Sequence, residues 1–142
     1  MLAALLLALM SCKDEDPVIN SSITGSWKGD RADVKVKYGI VPVHEETDEQ
    51  FDATLEFRDD GTVSFTKDGT TTSGTYELNG STLTTNVDFQ FEGVDIESMT
   101  FSVLELTATR LRLDVDQDQE VNVPDFGTVE TNIKGNFEFD RL

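Results

Sequence analysis

The chain has one cysteine, Cys12, one histidine, His44, and three prolines in 142 residues. A lone cysteine excludes an intramolecular disulfide and a cysteine-built metal cluster. His44 stands in an acidic run beside Glu45 and Glu46 and reads as an exposed loop residue. Positive charge is scarce, with 11 Lys+Arg against 28 Asp+Glu and a formal net charge of −17. Such a surface repels phosphate backbones and anionic bilayers. Nucleic acid is therefore not expected as a partner, and membrane attachment would need something other than surface charge. The same acidity serves solubility. No apolar run approaches the roughly 20 residues that cross a bilayer as a helix. No segment carries an apolar stripe of helical period, so the domain is expected to lack helices.

What is present starts at the N-terminus. Leu2 to Met10 is an unbroken apolar run followed by Ser11 and Cys12. Its length suits the h-region of a secretory signal, and Ser11 suits a cleavage site. Leu9-Met10-Ser11-Cys12 resembles the bacterial lipobox, in which cleavage precedes a cysteine that receives diacylglycerol. The expected division is a signal peptide over 1–11, a lipidated tether over 12–22 and one domain over 23–142. The signal lacks a Lys/Arg n-region, so the true start is expected upstream. Lys13-Asp14-Glu15-Asp16 resembles the export signal of surface lipoproteins in the Bacteroides–Flavobacterium group. The resemblance implies lipidation at Cys12 and an outer-membrane, cell-surface location. Several acyl chains on one residue make a firm anchor, at about 0.8 kcal/mol per buried CH₂.

From Ile23 onward apolar and polar residues alternate. Val34, Val36, Tyr38 and Ile40 form one set; Phe51, Ala53, Leu55 and Phe57 form the next. Val63 and Phe65, Tyr76 and Leu78, and Leu83, Val87, Phe89 and Phe91 continue the pattern. Met99, Phe101 and Val103, then Leu111, Leu113 and Val115, then Val129, Ile133, Phe137 and Phe139 complete it. One apolar face per segment marks half-buried antiparallel strands. Asn79-Gly80 predicts a type I′ hairpin, and Asp60-Gly61 and Asp68-Gly69 predict two more tight turns. Leu106 to Thr109 reads as a further turn, and Pro42 to Gln50 and Asp118 to Thr128 as longer connections. Eight strands joined in order predict an all-β, antiparallel up-and-down barrel, with a β-sandwich as the alternative.

Gly25-Ser26-Trp27 resembles the Gly-X-Trp opening of lipocalins. Leu55-Glu56-Phe57, Asp60-Gly61-Thr62-Val63, Gly74-Thr75-Tyr76 and Leu111-Arg112-Leu113 resemble the lipocalin-like domain of Bacteroides-type lipoproteins. The resemblance spans Ile23 to Leu142, without the C-terminal helix of full lipocalins. It implies a barrel whose interior either is filled by side chains or holds one small ligand.

No serine lies in a nucleophile-elbow context, and the carboxylates fall mostly on polar faces, so no catalysis and no cofactor are expected. Asp114, Asp116, Asp118, Asn122 and Asp125 loosely resemble a calcium loop, but Gln119 replaces its glycine, and strand alternation explains the same spacing. No metal is expected. Lys28, Arg31, Lys35 and Lys37 on the first strand should pair with Asp52 and Glu56 on the next. Trp27 reads as a plug at the barrel base. For a cavity, the candidate lining residues are Tyr38, Phe57, Phe65, Tyr76, Phe89, Phe101 and Leu113, with Thr85 or Thr131 as polar contacts.

Two functions follow. One is a monomeric carrier of a small apolar molecule, favoured by a cavity above roughly 300 Å³. The other is a non-catalytic module recognising a protein or glycan, favoured by a filled core and an exposed aromatic patch. A weaker third is an enzyme inhibitor acting through the Pro42 to Gln50 loop.

Overall fold

Strands with one apolar face must bury that face, and a sheet that closes on itself does so without leaving open edges. The structure, a computed structural model, describes residues 16–39, 41–91, 94–96, 98–123, 125 and 127–142. Its strands are β1 Val18–Ile19, β2 Gly25–Tyr38, β3 Val41–Asp48, β4 Ala53–Phe57, β5 Thr62–Lys67 and β6 Thr70–Asn79. They continue with β7 Thr82–Asn86, β8 Phe89–Phe91, β9 Val94–Ile96, β10 Met99–Leu106, β11 Arg110–Val123 and β12 Gly127–Arg141. No helix occurs among the described residues.

The ring runs β10-β11-β12-β2-β4-β5-β6-β7, and β7 pairs back onto β10 to close it. Every pairing in the ring is antiparallel. The molecule is the expected eight-stranded barrel and not a sandwich. Its interior is the expected apolar parity: Trp27, Leu83, Val103 and Leu111 are fully buried, and Phe57, Val63 and Val87 nearly so. Leu106, expected in a turn, is also fully buried at the end of β10, past a bulge between Val103 and Glu105.

Four local expectations change. Pro42 to Gln50 is not a loop: Val41–Asp48 pairs with β2 from Ala32↔Asp48 to Tyr38↔Val41. His44 therefore stands on a strand, opposite Val36. Asp118 to Thr128 is no long connection either, because β11 and β12 stay paired to Val123↔Gly127. The segment from Leu83 to Phe91 is not one strand: β7 ends at Asn86, and β8 forms a separate hairpin with β9. Alternation carries no information on how far a hairpin extends past its neighbours or where one strand ends and the next begins. The fourth change is at Asn79-Gly80. Asn79 pairs with Thr82, so the two-residue loop is Gly80-Ser81, with Gly80 at φ 63° and Asn79 outside the left-handed region. The type I′ signature falls instead at Asp68-Gly69, φ 54° and 78°, between paired Lys67 and Thr70.

Two features set the ends of the barrel. Within the stretch expected as a tether, Val18 and Ile19 pair in parallel with Glu105 and Leu106 of β10. At the other end β3, β2, β12 and β11 overhang the ring, since β10 leaves β11 at Ser102↔Asp114. The Gln117 side chain bridges that split: its carbonyl accepts from Thr100 N at 2.9 Å, and its amide donates to Ser98 O at 3.0 Å.

Candidate functional site

The barrel has one sealed end and one covered end. At the sealed end Trp27 is wholly buried, and its indole N–H donates to Ile23 O at 2.9 Å. The Arg141 guanidinium lies 4.0 Å over the indole ring. It donates to Ala108 O, Thr24 O and Ser22 O at 2.9, 3.0 and 2.7 Å. One side chain thus ties the entry to β2, the β10–β11 turn and the last strand around the tryptophan. The expected plug is there, with a cationic cap.

Above it lies an apolar cavity of about 220 Å³. Phe57, Val63, Leu55 and Leu83 line it, as do Val87, Met99, Phe101 and Leu113. Val34, Val36, Ile133, Phe137 and Phe139 from the overhanging strands contribute the opposite wall. These residues are apolar and inward because each shares strand parity with a core residue. A cavity with such walls offers burial, not directed bonding.

Four of the expected lining residues, Phe57, Phe65, Phe101 and Leu113, meet around this space. Tyr38 does not line it, because it pairs with Thr131 out on the overhang. Tyr76 sits below it, edge-on to Phe57 at 4.9 Å, with its hydroxyl donating to Arg58 O at 2.8 Å. Phe89 is on β8, and its side chain lies outside what the structure describes. Of the two threonines, Thr85 lines the cavity, whereas Thr131 is buried away from it with its hydroxyl on Val129 O.

The cover at the other end was not foreseen. Phe51, in the short link between β3 and β4, is buried, with its ring 6.0 Å from both Phe137 and Phe139. Gly29 makes room for it: a Cβ there would sit 2.3 Å from Phe51 O and 2.7 Å from its ring. Lys67 and Asp48 are the charged members of the lining. Lys67 Nζ stands 5.7 Å from the Phe51 ring centre, and the Asp48 carboxylate accepts from Gln50 N at 3.0 Å. Phe51 was visible in the sequence as the first member of the Phe51-Ala53-Leu55-Phe57 parity. Its role as a cover required knowing that β3 turns back into β4 above the ring.

The remaining polar candidates form outer-face pairs. Lys35 pairs with Glu45 at 3.3 Å, and Arg31 with Asp33 at 3.2 Å. Glu56 pairs with Arg58 at 2.7 Å. From Ala32 onward the neighbour of the basic strand is β3, while β4 pairs with β2 only over Gly25–Lys28 and places Lys28 opposite Thr54. Asp116 and Asp118 both accept from the Asn132 amide, at 3.0 and 2.7 Å, as neighbours on adjacent strands. Arg110 lies within 2.6 Å of Glu138 and 3.0 Å of Asp140, and the Glu138 carboxylate raises its pKa further. Cys12 lies outside the described residues.

Comparison with known proteins gives one family match and a distant structural likeness. No curated protein matches the chain. Among solved structures, a polyisoprenoid-binding domain from Saccharophagus degradans, implicated in plant cell wall breakdown, is similar at 10% identity and a TM-score of 0.46. The similarity covers 82% of this chain and 98% of that one. The family model of the lipocalin-like domain matches residues 23–113, from the segment ahead of Trp27 to Leu113 on the cavity wall, and the chain belongs to that family.

Proposed function

We propose that this protein is a membrane-anchored, surface-exposed lipoprotein whose barrel holds one small apolar ligand without catalysis. The observation that carries the reading is the largely apolar wall around about 220 Å³ inside a closed barrel. That volume is below the roughly 300 Å³ expected of a carrier of drug-sized molecules. It nevertheless exceeds the roughly 150 Å³ apolar cavity that already accepts benzene. The ligand is accordingly compact, of the order of one substituted ring or a short branched chain. The interaction-module reading lacks its expected mark: among the described residues the exposed large hydrophobics are Val18, Ile19 and Leu142, with no aromatic patch.

The anchor half of the proposal rests on Leu9-Met10-Ser11-Cys12 and the acidic run behind it. It explains how a chain of net charge −17 would stay at a membrane. The experiments separate the two halves. Titration of the Cys12→Ala chain with small aromatic and branched hydrocarbons, followed by calorimetry, should give saturable one-to-one binding. Absence of saturation across the series removes the carrier reading. Palmitate-analogue labelling in the host should mark the wild type and spare Cys12→Ala, and equal labelling removes the anchor.

A further inference from the structure

Thr85 is the polar member of the cavity wall that stands away from the charged rim. It is 5% exposed, on β7, facing Met99 across the β7–β10 seam that closes the barrel. Its neighbours in the wall include Leu83, Val87, Met99 and Phe101. Its hydroxyl donates to Met99 O at 3.5 Å. A well-formed O–H···O bond is about 2.7–2.8 Å long. The bond is long, so the hydroxyl gives up little by exchanging Met99 O for a closer acceptor in the cavity. Valine would have the same shape without the hydroxyl.

We infer that Thr85 is a specificity contact, and that the ligand is an uncharged apolar molecule with one oxygen acceptor, such as a ketone, aldehyde or ester. This rests on the cavity-binding reading above. The hydroxyl would turn from Met99 O to the ligand oxygen and form a bond of ordinary length. An ionised carboxylate does not suit the position, because among the described residues the wall beside Thr85 holds no cation to offset its desolvation. Lys67 lines the rim, beside Phe51.

Acetophenone and cumene have nearly the same shape, and only the first carries an acceptor. Calorimetry of both against the Cys12→Ala chain and the same chain with Thr85→Val gives a four-cornered comparison. The ratio of the two dissociation constants should shift about tenfold against acetophenone in Thr85→Val, as for loss of one buried neutral hydrogen bond. An unchanged ratio overturns the inference while leaving cavity binding intact. Saturable binding of neither compound to the parent chain overturns both.

Discussion

The two ends of this barrel close in different ways. The sealed end is over-determined: Trp27 is wholly buried, and Arg141 adds hydrogen bonds to four backbone carbonyls, those of Ser22, Thr24, Thr107 and Ala108, beneath a cation–π contact. The covered end depends on one phenyl ring, packed edgewise on Phe139 and tilted against Phe137, and tied by a 3.3 Å bond from Phe51 N to Asp30 O. On the proposed carrier reading, stability belongs to the first end and access to the second. A barrel that must admit a ligand needs one end that opens at lower cost than global unfolding.

The contrast is broken most severely at the sealed end. Trp27→Ala removes a wholly buried indole and strands the Arg141 guanidinium. Urea unfolding should show a loss of about 4 kcal/mol. A loss under about 1 kcal/mol would mean that this end does not hold the fold. At the covered end Phe51→Ala should cost about 2 kcal/mol, less than other buried aromatics, because solvent fills the gap. It should also raise ligand dissociation rates in stopped flow by at least about tenfold. Gly29→Ala should act in the same direction, since its Cβ would overlap Phe51 backbone and ring. Rates equal to wild type in both variants would show that ligand enters elsewhere.

Between the ends, Ala32→Leu adds bulk to the cavity wall from a buried position on β2. It should weaken binding of a hydrocarbon probe by about tenfold or more, with an overpacking cost of about 1–2 kcal/mol. Retained affinity would place the ligand outside the barrel.

The smallest effect concerns pH at the β4–β5 turn beside the sealed end. The Thr62 hydroxyl and N–H donate to Asp60 at 2.6 and 3.0 Å and hold its carboxyl below the ordinary value of 3.8. A depressed acid stabilises the fold above its unfolded-state pKa, and the contribution fades as pH falls through the folded-state pKa. An NMR titration should find Asp60 titrating below the usual carboxylate range in the wild type. In Thr62→Val, which keeps only the N–H, the value should rise.

Much of this fold was legible from residue order because strand parity is a local property. The inward sets around Leu55, Phe101, Leu113 and Phe139 follow from alternation alone. Where alternation misled, the missing quantity was nonlocal. Nothing in Val41–Asp48 says that it will pair with β2 rather than cross a loop, and the charged residues Glu45, Glu46 and Asp48 look like loop. Tyr38 and Phe65 carry the same inward parity, yet Phe65 lines the cavity and Tyr38 stands on the overhang. The stagger between strands decides which inward residues meet, and stagger is set by closure of the whole ring.

The sequence by itself therefore determined the all-β class, the inner face of the alternating strands such as β4, β5 and β11 and the tryptophan at one end, since each depends on neighbours one or two residues apart. Only the tertiary structure decided that about 220 Å³ stays empty, that Phe51 covers it and that Thr85 stands within its wall. An empty volume is what remains after side chains from distant strands have packed, so no single segment encodes it.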